Sequence, residues 1–157
     1  MRYQIGKHTI AFHVGALGIL DRFTQRGKKQ PEAGGVIMGK LIGDEIQIMR
    51  LSVPTPLDKA SRYNFERHVY SAQIVIDYEF YNSGGEMVYL GEWHTHPEPH
   101  PTPSGTDREM IRRQYQNKGR TTDFLLLVIQ GTASRYVAIM ENGQLTAYSE
   151  PNANNPS

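Results

Sequence analysis

The sequence contains no cysteine. Disulfides, thiolate metal ligands and a cysteine nucleophile are excluded, so any metal must be held by histidines and carboxylates. The absence is compatible with a reducing compartment. Charge of one sign is lacking too: 17 Lys and Arg stand against 16 Asp and Glu, a formal net charge of +1. That balance gives no electrostatic reason to expect nucleic acid or an anionic membrane surface as a partner. No apolar run approaches the ~20 residues of a membrane span. The N-terminus MRYQIGKHTI also lacks the apolar core of a signal peptide. A cytoplasmic location is the expectation. Apolar content is moderate, and 157 residues suit a single globular domain with its own core.

The hydrophobic pattern mixes two periods. Arg2 to Ile5 and Thr9 to Phe12 alternate loosely around Gly6-Lys7, which predicts a hairpin. Val14, Leu17, Leu20 and Phe23 recur every three residues, which is helical spacing, and GKKQP supplies the stop. GGVIMGKL and EIQIMRLSV read as strands joined by a short turn. Val53 to Arg62, with two prolines, reads as loop, and Arg62, Phe65 and Arg67 before the next helix are candidates to grip a substrate tail. Tyr70 to Asn82 is too long for a strand and is expected as a helix, with Ile74, Val75, Tyr78 and Tyr81 on one face. A strand over Met87 to His96, a helix over Asp107 to Asn117, a buried strand FLLLVI and a last hairpin follow. Strands and helices mix without strict alternation, so the expected fold class is α/β with a mixed or antiparallel sheet.

One segment, GEWHTHPEPHPTPSGTD from Gly91 to Asp107, concentrates three histidines and four prolines. His94 and His96 are two apart on a strand, so both side chains leave the same face and can share one ion. A catalytic zinc takes three protein ligands and keeps one position for water. Asp107, across the stiff proline-rich loop, is the best candidate for the third. SGTD equally suits a helix capping box, with Ser104 at the N-cap and Asp107 three residues on. The two readings are compatible. At this chain's own residue frequencies, H-x-H-x7-S-x2-D arises by chance in roughly 4 of 10,000 such sequences. His100 is left outside the metal shell, because three ligands already complete a catalytic site.

These residues resemble the JAMM motif of the JAB/MPN metalloproteases: His94-Thr95-His96-Pro97, a seven-residue spacer, then Ser104 and Asp107. The family also carries an upstream glutamate in an E-x-G-G/C-x-x-x-G segment, which here is Glu32-Ala33-Gly34-Gly35-Val36-Ile37-Met38-Gly39. The resemblance implies a single JAB/MPN-like (cytidine-deaminase-like) domain over residues 1–149. It would have a mixed, mostly antiparallel sheet flanked by helices, with a disordered tail at 150–157. It implies one Zn²⁺ per chain on His94, His96 and Asp107, with Glu32 as general base and Ser104 as donor to the oxyanion. Spacing alone nominates a rival base, Glu92, which lies two residues before His94 on the same strand. Gly34-Gly35 read as the place where backbone passes close to a ligand or substrate. Trp93 is expected in the core.

Family members hydrolyse peptide or isopeptide bonds next to ubiquitin-like C-terminal tails. The chain most resembles small stand-alone bacterial JAB proteins of CBASS-type anti-phage operons, where the protease releases a protein joined through its C-terminus to a target. The implied partner is such a conjugated protein, with a cyclic-nucleotide synthase as the joined protein, and neither nucleic acid nor membrane. Two other readings stay open: a peptidase acting on a sulfur carrier or small peptide, and a metal-stabilised binding module without turnover.

Overall fold

The computed structural model describes residues 1–151. The expected tail at 150–157 falls almost wholly on residues 152–157, outside the described ones. Two strands, β1 (Arg2–Ile5) and β2 (His8–Phe12), form the first hairpin, and α1 (Val14–Phe23) follows. Then come β3 (Gly34–Ile42), β4 (Glu45–Leu51), β5 (Lys59–Ser61), β6 (Asn64–Glu66) and α2 (Val69–Asn82). The chain continues through β7 (Val88–Thr95), α3 (Gly105–Gln116), β8 (Phe124–Gln130), β9 (Arg135–Glu141) and β10 (Gln144–Ala147). Among the described residues, no helix is long and apolar enough to cross a membrane.

Eight strands form one sheet in the order β1-β2-β4-β3-β7-β8-β9-β10. The β2–β4 and β7–β8 pairs are parallel and the others antiparallel. The expected mixed, mostly antiparallel sheet is therefore what forms. The last hairpin turns at Asn142-Gly143, where both residues have positive φ (53° and 75°). That conformation suits the two-residue turn that matches strand twist.

Strand alternation divides the core. On β8, Leu126 and Val128 join a cluster with Ala16 and Leu20 of α1, while Leu125, Leu127 and Ile129 pack against Ile111 of α3. With both faces covered, β8 reads as a continuous apolar run rather than an alternating one. The helix α2 sits on the α3 side, where Ala72 meets Val36, Met38 and Met87. The protein is thus a three-layer sandwich, with α1 on one face and α2 and α3 on the other.

Two expectations need correction. The loop before α2 contains a small hairpin, β5–β6, paired Lys59↔Glu66 to Ser61↔Asn64 and separate from the main sheet. Its strands are three residues long and mostly exposed, so they carry no alternating signal. The helix α2 also turns the other way. Ile74, Tyr78 and Tyr81 are exposed, and Ala72, with Val75 and Ile76, faces the sheet. The small Ala72 side chain lets the helix approach the sheet, and hydrophobic spacing gives weight to the larger side chains instead.

Candidate active site

The strand β7 carries the two spaced histidines, and a bulge aims them. On β3, Ile37 pairs with Gly91 and Met38 with Tyr89, so Leu90 is an extra residue without a partner there. A bulge shifts the phase of side-chain alternation. Leu90 and Trp93, three apart, therefore both enter the α1-side core. The Trp93 ring donates to Ser52 O at 2.9 Å, in keeping with its expected core role. His94 points to the opposite side, into a cleft of about 560 Å³ also lined by Arg67, Glu92, Asp107, Met110 and Gln114.

Asp107 arrives from the first turn of α3. Ser104 caps that helix: its Oγ accepts from Asp107 N (3.1 Å), and Asp107 Oδ2 accepts from Ser104 N (2.8 Å). The capping box and the candidate ligand are one carboxylate. Asp107 Oδ1 lies 3.2 Å from His94 Nε2, and Oδ2 lies 3.1 Å from His96 Nε2. The two Nε2 atoms are 3.2 Å apart. Because its Oγ already accepts from Asp107 N, the Ser104 hydroxyl proton is free to donate.

Glu32 comes from the loop before β3. Its backbone N donates to Ser61 O (2.8 Å), and the neighbouring Ala33 O accepts from Thr95 N (2.9 Å). This pairing brings Glu32 Oε1 to 3.5 Å from His96 Nε2. Glu32 is only 3% exposed, yet its Oε2 has no hydrogen-bond partner among the described residues. Burial pushes its carboxyl up to about 7, His96 opposes the rise, and Asp107 and Glu98 add to it. Burial also works to raise the Asp107 carboxyl, but hydrogen bonds from His94 and His96 and their charge carry it well below the usual range. For His96, burial lowers the pKa, and the stronger pull of Asp107 and Glu32 raises it.

The donor set fits a small tetrahedral cation. Ligands at 2.0–2.1 Å around such an ion are about 3.4 Å from one another. The two imidazole Nε2 atoms, 3.2 Å apart, lie close to that edge length, and the Asp107 carboxylate meets them through separate oxygens, Oδ1 to His94 at 3.2 Å and Oδ2 to His96 at 3.1 Å. One ligand atom from each of Glu32, His94 and His96 also lies within 4.8 Å of the others. Two imidazole nitrogens and a carboxylate that converge beside a buried carboxylate oxygen without a partner among the described residues form a donor set that a divalent cation satisfies.

The rival carboxylate has another partner. Glu92 is buried, and its Oε1 accepts from Arg67 Nε at 2.8 Å. Burial pushes its carboxyl up and Arg67 pulls it down. Glu92 thus ties β7 to the segment between β6 and α2, while Glu32 is the carboxylate with a free oxygen. Arg62 turns away from the site, with Nη1 donating to Gly27 O at 2.9 Å. His100 is exposed and meets Ser134 Oγ at 2.9 Å, away from the cluster.

The paired glycines admit close packing, and Gly35 also lines the cleft with His94 and Asp107. A Cβ on Gly34 would lie 2.5 Å from Phe65 Cδ1 and 2.7 Å from Trp93 O. A Cβ on Gly35 would lie 2.3 Å from Ser52 Oγ. The sequence pattern missed Gln25, whose amide joins three segments behind the site. A lone glutamine after a helix carries no pattern that would have found it.

Comparison with known proteins agrees with this architecture. The family model described as prokaryotic homologs of the JAB domain matches residues 19–142. A Pseudomonas aeruginosa protein named CD-NTase/cGAS isopeptidase is 34% identical over 139 residues, spanning 88% of this chain and 87% of that protein. A Vibrio cholerae protein of the same name is 33% identical over 118 residues, spanning 75% and 73%. The solution structure of a Desulfitobacterium hafniense protein superposes with a TM-score of 0.62 at 18% identity, over 88% of each chain, a likeness of fold alone. With a JAB-domain match across most of its length and relatives a third identical over three quarters or more of the chain, this protein belongs to the JAB family, in its prokaryotic branch.

Proposed function

We propose that this chain is a zinc-dependent isopeptidase of the JAMM type, with residues 1–149 as its catalytic domain. In this reading it hydrolyses the bond after the C-terminal tail of a conjugated protein, in the cytoplasm, as part of bacterial CBASS anti-phage signalling. The names of the P. aeruginosa and V. cholerae relatives support a nucleotidyltransferase of the cGAS class as the tail-bearing protein. The observation that carries the reading is the buried, half-unpartnered Glu32 carboxylate beside His94, His96 and Asp107 at the edge of an open cleft.

His94, His96 and Asp107 would hold the metal. Bound zinc supplies Lewis acidity and makes a hydroxide-like nucleophile available at neutral pH. Glu32, buried beside His96 with one carboxylate oxygen unpartnered among the described residues, is placed to take a proton from the attacking water. As the carbonyl carbon gains oxygen and its C–N bond breaks, Glu32 returns that proton to the leaving lysine amine. Ser104 donates to the oxygen that becomes negative in the transition state.

The test is cleavage of a protein joined through its C-terminal carboxyl to a lysine side chain. Wild type should release the free tail, and Glu32→Gln should bind metal without cleaving. Turnover retained in Glu32→Gln would remove the proposed base. Cleavage of short linear peptides without the branched conjugate would move the substrate to the small-peptidase reading. A wild type inert to both, and unfolded by chelation, would indicate a binding module.

A further inference from the structure

We propose that Gln25 is a positioning residue that registers Glu32 against the two histidines and fixes the β5–β6 hairpin in the same clasp. The role of Glu32 is taken from the function proposed above. Gln25 is 2% exposed and lies just past α1, which Ala16 and Leu20 anchor in the core. Its Nε2 donates to Gln30 O (3.1 Å) and to Arg62 O (3.0 Å), the latter in the turn between β5 and β6. Its Oε1 accepts from Thr95 Oγ1 at 2.8 Å. Both amide protons are used, so the side chain is held at three points.

Thr95 continues the clasp. It sits between His94 and His96 and is completely buried. Its hydroxyl accepts from Ala33 N (3.0 Å) while donating to Gln25, and its backbone N donates to Ala33 O (2.9 Å). Glu32 N donates to Ser61 O in the hairpin. Glu32 precedes β3 and follows Pro31, so regular sheet pairing does not fix it. Its position is set by the Ala33–Thr95 bonds on one side and by Ser61 on the other. Gln25 holds both: Thr95 directly, and the hairpin through Arg62 O. Phe65 of that hairpin lines the cleft, so one amide spans the base and a wall of the binding surface.

The clasp has two separable arms. Thr95→Val keeps side-chain shape and loses the hydroxyl, which frees the Glu32 arm alone. Its kcat should fall roughly 10- to 100-fold, with KM within about twofold and metal content unchanged. Thr95→Ser should restore kcat to within about twofold of wild type. Gln25→Met frees both arms, so kcat should fall and KM rise together. A structural role alone would lower the melting temperature of each variant without this division between kcat and KM.

Amide hydrogen exchange on the metal-free chain tests the clasp without any turnover. In wild type, the amides of Glu32 and Ala33 should be protected like those of β3 and β7. In Gln25→Met they should lose protection together with the β5–β6 hairpin, and in Thr95→Val the loss should centre on Ala33. Wild-type amides at 32 and 33 exchanging as freely as an exposed loop would overturn the proposal, even where a variant fails to fold. So would variants that keep both kinetic constants and the wild-type exchange pattern. An absence of isopeptidase turnover in wild type would count against the function above, while the exchange experiment would still decide the clasp.

Discussion

At the scale of single residues, Asp107 serves two purposes that chemistry can separate. Its carboxylate faces both histidines and closes the capping box of α3. Asp107→Asn keeps an oxygen for Ser104 N but removes the ligand charge. Asp107→Ala removes both, leaving the half of the capping box in which Ser104 Oγ accepts from the residue 107 amide. Both variants should purify without stoichiometric metal, with the alanine form melting lower once wild type is also stripped. Metal analysis and thermal melts check this, and one tightly held zinc per chain in Asp107→Ala would rule out the ligand role. Glu32 gives a pH signature. Its carboxyl holds its proton to about 7 in the fold and to 4.5 by its ordinary value. Below 4.5 both states are protonated and nothing is lost. Between these values the unfolded chain ionises first, so stability falls as pH rises, by about 3 kcal/mol in all. Metal-free Glu32→Gln should therefore be more stable than metal-free wild type at pH 8, with the advantage gone by about pH 4. Denaturant melts in chelator at several pH values measure it, and an advantage that grows toward acid would contradict the assignment.

At the scale of elements, the Arg67–Glu92 pair links β7 to the start of α2. The side chains are 17% and 4% exposed, so each depends on the other for its charge. Removing one partner of a buried pair costs about 3–5 kcal/mol, because the remaining charge is left uncompensated. Arg67→Met should lose stability on that scale at pH 8. The loss should shrink in acid, because without Arg67 only the Tyr89 hydroxyl opposes the burial that raises Glu92, and its carboxyl is driven further up. Adding Glu92→Gln should recover most of it. A deficit independent of pH would mean that Arg67 contributes packing rather than charge. The β7 bulge belongs to this scale as well. One unpaired residue, Leu90, lets Trp93 enter the core while His94 turns toward α3.

At the scale of the whole molecule, the site sits on a fold that stands without it. The three apolar clusters run through the sheet and all three helices, and none of them depends on the His94–Asp107 contacts. Chelation should therefore lower the melting temperature without unfolding the chain. A ligand held at 1,000 times its dissociation constant adds about 4 kcal/mol, and that is the stability chelation should remove. Circular dichroism and melts before and after chelation test this. A random-coil spectrum after chelation would make the metal structural.

The sequence alone determined the elements whose signals are local. The helix over Val14–Phe23, the β3–β4 hairpin and the helix starting near Ser104 follow from periodicity, turn chemistry and a cap, each readable within a dozen residues. The spacing of His94, His96 and Asp107 was legible for the same reason, since strand geometry and a short loop bound where those side chains go. Tertiary structure decided the rest. Which face of α2 is buried depends on how near the helix comes to β3, and a three-residue strand such as β6 exists only where Phe65 packs over Gly34. How Glu32 and Glu92 are partnered also lay beyond any local pattern. Both are carboxylates within reach of the same strand, and they differ only in their partners: Arg67, 25 residues away from Glu92, occupies one and leaves the other free. Long-range pairing, rather than residue type, sets the chemistry of each.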